Sequence, residues 1–343
     1  MNLFKSIDKK IIVVAEISAN HSQSFKRAIA LIKKAKECGA DAVKFQAYTP
    51  ETMTINVNSK YFRIKHPEWG GQTLYQLYKK AYTPWKWFKQ LKKVADNLGI
   101  VFFATAFDKT AVDFLEELNV PCHKIASFEL VDLPLIEYAA KTKKPLIIST
   151  GMASVAEIKQ AIKTAKNAGA KDIMLLKCVS DYPAKPSEMN LKTIPHMKKM
   201  FNCPIGLSDH TLGIGVALAS VSLGINLIEK HFTISRKIKT PDSFFSIEPK
   251  ELKLLVEDVR VAEKALGKIH YGLTANERRN KVFRRSLFAV NDIKKGETLT
   301  ESNVRSIRPA FGLSPYFLKK ILGKEAKRDI NLGEPIKLNS INL

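Results

Sequence analysis

Residues 203–231 read CPIGLSDHTLGIGVALASVSLGINLIEKH. The two ends, CPIGLS (203–208) and NLIEKH (226–231), are short apolar runs of strand length. Between them, LGIGVALASVSLG is small, apolar and long enough for a helix. Strand, helix and strand in so little chain predict a parallel pair with a helical crossover. The same pattern recurs upstream. IIVVAEI (11–17), AVKFQ (42–46), IVFFAT (100–105), CHKIAS (122–127), PLIIST (145–150) and IMLLKC (173–178) read as further strands. Amphipathic helices are predicted over 24–38, 85–98, 108–118, 154–168 and 249–266. Apolar strands alternating with helices indicate an α/β fold with a parallel sheet covered on both faces. Eight such units in residues 1–267 predict a closed (β/α)8 TIM barrel, with an open doubly wound sheet as the alternative.

The pattern changes after Gly267. Residues 268–283 are polar, contain NERRN, and read as a linker. Residues 284–343 carry short strand-like runs (SLFAV, RSIRPAFGL) and the turn signals KKGE and NLGE. They predict a small β-rich second domain. Alone it would have a thin core, so it is expected to pack against something.

Composition excludes several classes. The chain has 343 residues, 45% hydrophobic and 26% charged, which is ordinary for a globular protein. It has no apolar run of the ~20 residues that a membrane span needs. The run at 11–15 stops at Glu16, short of the roughly 7–15 residues of a signal-peptide core. It reads as a first strand, and the protein as cytoplasmic. Cys38, Cys122, Cys178 and Cys203 form no CxxC pair and lie in or beside apolar segments, as buried free thiols do. The formal charge of +23 raises nucleic-acid binding. The lysines, however, fall at helical spacing among apolar partners, as in RAIALIKKAK, which is how solvated helix faces look. Without a basic arm or nucleic-acid motif, no nucleic-acid or membrane partner is expected. An anionic small substrate suits the same field.

In such a barrel, chemistry sits at the C-terminal ends of the strands. Here those ends carry Glu16, Lys44, Gln46, Thr105, Lys124, Ser127, Glu129, Ser149, Ser180, Tyr182, Ser208, His210 and His231. A single strand-end Ser or Thr is commonly a helix N-cap, and Ser208 or Thr211 would serve as one. Lys44 and Lys124 are different, because they interrupt apolar runs from within. An inward, buried Lys needs an anionic partner. Two of them, ringed by Thr105, Ser127, Ser149 and Ser208, suggest a phosphate or carboxylate site that is not a P-loop. His210 and His231 end the last two strands, and two imidazoles facing one spot could hold a divalent metal with open positions. His123 alternates with Lys124 and points out of the barrel. Asp209 is left as a candidate for orienting His210.

The ordered set AEISANH, ADAVKFQ, TAFD, KIASFE, ISTGM, KCVSDYP, GLSDHT and IEKHF resembles the sialic acid synthase family. The tail NDIKKGE, IRPAFGL and LGKEAKRDI resembles that family's antifreeze-like (SAF) domain. The resemblance implies condensation of phosphoenolpyruvate with an N-acetylated amino sugar, a transferase reaction that serves surface-glycan biosynthesis. Lys44, Thr105, Lys124, Ser127, Ser149, Ser180 and Ser208 would hold phosphoenolpyruvate. Ser180 stands where relatives carry Asn. His210 and His231 would bind Mn²⁺, or Mg²⁺ or Co²⁺, and act in catalysis with Glu16. Gln46, Glu129, Tyr182 and Asp242 would face the sugar. Arg308 would reach the site of a partner subunit in a domain-swapped homodimer. Three stretches, WGGQTLYQLYKKAYTPWKWF (69–88), TPDSFFSIEP (240–249) and NKVFRRSLFAVNDIKKGE (280–297), are similar to the branch that makes pseudaminic acid. The alternatives are the N-acetylneuraminate or legionaminate branches, or a non-catalytic sugar-binding relative.

Overall fold

The computed structural model describes residues 10–342. Its strands are β1 (Ile12–Glu16), β2 (Ala42–Ala47), β3 (Val101–Ala106), β4 (His123–Ile125), β5 (Leu146–Ser149), β6 (Ile173–Cys178), β7 (Ile205–Asp209) and β8 (Leu227–His231). They pair in sequence order, all parallel, and close into a barrel. β8 returns to β1 with Ile12 opposite Leu227 and Glu16 opposite His231. The closed barrel, and not the open doubly wound sheet, is therefore what the register builds. All eight predicted strands are present with slightly shifted ends. The predicted helices lie at Phe25–Glu37, Trp85–Leu98, Lys109–Glu117, Val155–Asn167 and Pro249–Leu266. Leu133–Lys141, Thr193–Phe201 and Gly215–Val221 complete the outer ring.

Local chemistry sets these ends. Ser24, Asp108, Asp132 and Ser154 cap their helices through side chains that accept backbone N–H groups. Ser208 and Thr211 cap nothing. The helix Gly215–Val221 starts later, with Ile214 as its N-cap, and both hydroxyls donate to carboxylates instead.

Period-two alternation divides the barrel into an outer and an inner face. Ile11, Val13, Val43, Phe45 and Ile148 pack outward against the helices. Ile12, Val14, Phe103, Ile147, Met174 and Leu176 fill the lower interior. Continuing the inner parity upward exchanges those apolar side chains for polar ones, Glu16 above Val14 and Ser149 above Ile147. Gly206 serves this packing. A Cβ there would sit 2.6 Å from Leu176 Cδ2 and 2.8 Å from the Leu227 carbonyl. Outside, His123 is buried and bonds Glu116 Oε1 at 2.7 Å, as alternation predicts.

The chain divides after Gly267. The second unit holds β9 (Ser286–Ala289) antiparallel to β10 (Val304–Ile307) and bridges such as Ile293–Ile330. Its own core includes Leu287, Ile293, Leu299, Val304, Ile330 and Ile336. The polar stretch before β9 forms a helical turn at Glu277–Asn280. Among the described residues, no helix is long and apolar enough to cross a membrane.

Candidate active site

The inner parity brings the predicted strand-end residues to one place. Lys44 sits midway along β2 on its inner face, 4% exposed, with its Nζ 2.8 Å from Glu16 Oε2. It also donates to Thr105 Oγ1 at 2.9 Å. Lys124, 2% exposed, donates to Ser149 Oγ at 2.7 Å and to the Ile125 carbonyl at 3.2 Å. Glu229 lies between the two lysines, which sequence reasoning missed. Its Oε1 is 3.5 Å from Lys44 Nζ and 4.0 Å from Lys124 Nζ, and it accepts from Ser208 Oγ at 3.1 Å. Its Oε2 has no hydrogen-bond partner among the described residues. The signal was available in LIEKH: Glu229 shares the parity of His231 and so must also point inward.

Charge and burial oppose each other here. Burial pushes Glu16 up to about 7, with Lys44 pulling it down and Glu229 pushing it further up. Burial also acts to raise Glu229, but Lys124 and Lys44 outweigh it and keep this carboxylate ionised. Burial acts to lower Lys44, and its two carboxylates more than offset that. For Lys124 burial wins, and the ammonium is lowered despite Glu229.

The two imidazoles meet as predicted, with ring centroids 5.4 Å apart. His210 Nδ1 is 2.7 Å from the Val179 carbonyl, so this nitrogen carries a proton and, in the neutral imidazole, Nε2 presents the lone pair. His231 Nδ1 has no hydrogen-bond partner among the described residues, and Asp242 Oδ2 is 3.8 Å away. Burial, then the charges of His210 and Lys44, hold His231 well below its usual range and keep it neutral. Burial acts to lower His210 too, while its contacts with Cys178 and the Val179 carbonyl carry it the other way. Tyr182 and Phe245 close over the pair, with centroids 4.3 Å from His210 and 4.6 Å from His231 respectively.

A cavity of about 490 Å³ opens beside His231. Gln46, Glu129, Tyr182 and Asp242 line it, together with Ser127 and Ser180. Ser127 Oγ and Ser180 Oγ are 2.6 Å apart. Gly151 permits that approach, since a Cβ there would meet Ser180 Oγ at 2.1 Å. Burial pushes Glu129 up to about 7. Asp242 Oδ2 accepts the Ala19 amide at 3.0 Å.

Two expectations need correction, those for Asp209 and Cys203. Asp209 does not orient His210. It points out of the barrel and accepts from Lys230 Nζ at 2.9 Å and from Thr211 N and Oγ1 at 2.9 and 2.7 Å. Cys203 is only partly buried, while Cys38, Cys122 and Cys178 are buried free thiols. Cys178 is no bystander of the core. It faces inward, with Sγ 3.9 Å from both His210 Nδ1 and Ser180 Oγ. Arg308 lies exposed in the second unit, just after β10.

Comparison with known proteins supplies the family of this fold. A model of the NeuB family matches residues 31–271, and a SAF-domain model matches 284–342. The chain is 44% identical to the pseudaminic acid synthase of Campylobacter jejuni, over 96% of each chain. It is 37% identical to the N,N'-diacetyllegionaminic acid synthase of the same organism, over 96% of this chain and 99% of that one. The solved N-acetylneuraminic acid (sialic acid) synthetase of Leptospira borgpetersenii superposes with a TM-score of 0.71 at 34% identity, covering 80% of this chain and 90% of that one.

Proposed function

The chain belongs to the NeuB family, that of the sialic acid synthases, and from this we propose that it makes pseudaminic acid. The reaction joins phosphoenolpyruvate, 2,4-diacetamido-2,4,6-trideoxy-L-altrose and water, and releases phosphate. The observation that carries this function is the pair of buried, inward lysines, Lys44 bonded to Thr105 and Lys124 to Ser149, with Glu229 between them.

C3 of phosphoenolpyruvate attacks the C1 aldehyde of the open-chain sugar, and positive charge develops at C2. Water adds at C2, and the C2–O bond breaks to release phosphate. Lys44 with Thr105, and Lys124 with Ser149, Ser208, Ser127 and Ser180, hold the phosphate and carboxylate throughout. These donors, buried apart from the half-buried Ser180, are already held by hydrogen bonds within the site, so little reorganisation accompanies the change in charge. Lys44 stays protonated beside Glu16 and Glu229, which makes it electrostatic and not a Schiff-base nucleophile. Glu16, beside Lys44, is placed to take the proton of the attacking water. Gln46, Glu129, Tyr182 and Asp242 bind the polar groups of the sugar.

The residues fit a divalent metal. Two neutral-capable imidazoles converge, and His231 Nδ1 is buried with no hydrogen-bond partner among the described residues. No cluster of three or more His, Cys, Asp or Glu donors occurs among the described residues, so the ion would keep open positions. His210 and His231 would hold it, with Mn²⁺ as first choice and Mg²⁺ or Co²⁺ as alternatives, and it would supply Lewis-acid activation of the sugar carbonyl. A homodimer in the cytoplasm, with Arg308 of one copy completing the sugar site of the other, belongs to the same proposal.

Phosphate release measured with each purified amino sugar tests the function. We expect turnover with the diacetamido-trideoxy sugar that is lost on chelation and restored by Mn²⁺. Strong preference for N-acetylmannosamine or for the legionaminate precursor would replace the substrate. Turnover that survives exhaustive chelation would remove the metal.

A further inference from the structure

Between β2 and the helix Trp85–Leu98 the chain makes a long excursion, residues 48–84. It contains the helix Leu74–Ala81, opened by a capping box in which Thr73 and Gln76 exchange hydrogen bonds. Leu74, Leu77, Tyr78 and Ala81 recur at i, i+3, i+4 and i+7, which makes one face of that helix. Such a stripe ordinarily packs into a core. Here all four side chains line the 490 Å³ cavity, and Met53 and Ile64 extend the same wall.

The excursion is fixed in place from the far side of the cavity. Trp69 Nε1 donates to the Pro241 carbonyl at 2.7 Å, in the loop that carries Asp242. Its ring lies 4.4 Å from His66, 5.8 Å from Phe244 and 5.7 Å from Tyr182, centroid to centroid. The cavity therefore has two unlike walls. Gln46, Glu129 and Asp242 supply polar groups, and the excursion supplies mainly carbon through Met53, Ile64, Leu74, Leu77 and Ala81.

We propose that this apolar wall, and Leu74 and Leu77 in particular, selects a diacetamido-trideoxy sugar over N-acetylmannosamine. The proposal rests on the substrate assigned above. That sugar carries two acetamido methyls and a C6 methyl, which are carbon surface for the wall to cover. N-acetylmannosamine has one acetamido group, with hydroxyls at C4 and C6. Against Leu74 and Leu77 those hydroxyls would lose water and gain no hydrogen bond. An apolar wall rejects an added hydroxyl only modestly, by a factor on the order of 10², so the preference is finite and measurable.

The test compares kcat/KM for the diacetamido-trideoxy sugar and for N-acetylmannosamine in the wild type, Leu74→Ala, Leu77→Ala and Leu77→Asn. The KM for phosphoenolpyruvate and the thermal midpoint are measured alongside. The wild type should prefer the diacetamido sugar roughly 10²-fold, and each variant should reduce that ratio about tenfold with the phosphoenolpyruvate KM held. Variants that lose both sugars equally, or keep the wild-type ratio, would overturn the wall's role and leave the substrate assignment standing. A wild type that prefers N-acetylmannosamine overturns the substrate assignment itself, and is seen before any variant is made.

Discussion

β7 and β8 carry two buried ion clusters, one residue out of phase. On the outer face, Lys230 Nζ bonds Asp209 Oδ2 at 2.9 Å and the Thr211 carbonyl at 2.6 Å, while Asp209 Oδ1 takes both donors of Thr211. On the inner face, Glu229 meets Lys44 at 3.5 Å and Lys124 at 4.0 Å, and its second oxygen has no hydrogen-bond partner among the described residues. The outer cluster is saturated, and it ties the turn after β7 to β8, the two strands that deliver His210 and His231. The inner cluster is loose, buried and still short of partners. Closed charge holds the barrel together, whereas open charge leaves room for an anion. Parity along one strand decides which is which.

The largest effect is expected at the closed cluster. Lys230→Met leaves Asp209 buried without its cation, and should lower stability by about 3–5 kcal/mol in chemical denaturation. A Lys230→Met/Asp209→Leu double variant should recover most of that loss. On the open side, Lys124→Met should reduce kcat/KM for phosphoenolpyruvate by roughly 10²–10³-fold while the fold survives. Equal stability losses for both lysines would erase the distinction.

His21 extends the closed class to the loop after β1. It is buried against Thr83 Oγ1 at 2.9 Å, and burial, aided by Arg27, pushes it down to about 4. Between pH 6.5 and that value it is neutral when folded and protonated when unfolded. Its contribution is therefore present at neutral pH and lost as pH falls through this window, by about 3 kcal/mol in total. Denaturation curves at pH 7 and pH 4 for the wild type and His21→Gln check this, and the variant should show a shallower slope. The smallest effect is expected for Glu229→Gln. It keeps the shape and the Ser208 contact but removes charge between the lysines. We expect a change of a few-fold in the KM for phosphoenolpyruvate, about 1 kcal/mol, with kcat moving less.

Much of this was legible in the sequence. The eight strands announce themselves because each is buried on both faces and reads as an apolar run. Lys44 and Lys124 stood out because each breaks such a run. Glu229 escaped because Lys230 follows it, and adjacent opposite charges look like a solvated pair until strand parity sends them to opposite faces. Asp209 was misassigned for the same reason, since nearness in sequence to His210 says nothing when the two point apart. The cavity wall was hidden more deeply. Leu74 and Leu77 lie in 69–88, a stretch that stood out only for its resemblance, and only the folded excursion shows that their apolar face meets a void.

The most direct test of the open and closed assignment is calorimetric titration of phosphoenolpyruvate into wild type, Lys124→Met and Lys230→Met, each confirmed folded. We predict that Lys230→Met binds within a few-fold of wild type and that Lys124→Met binds at least about 100-fold more weakly. Undiminished binding by Lys124→Met, or loss confined to Lys230→Met, would contradict the placement of the anion on the inner face.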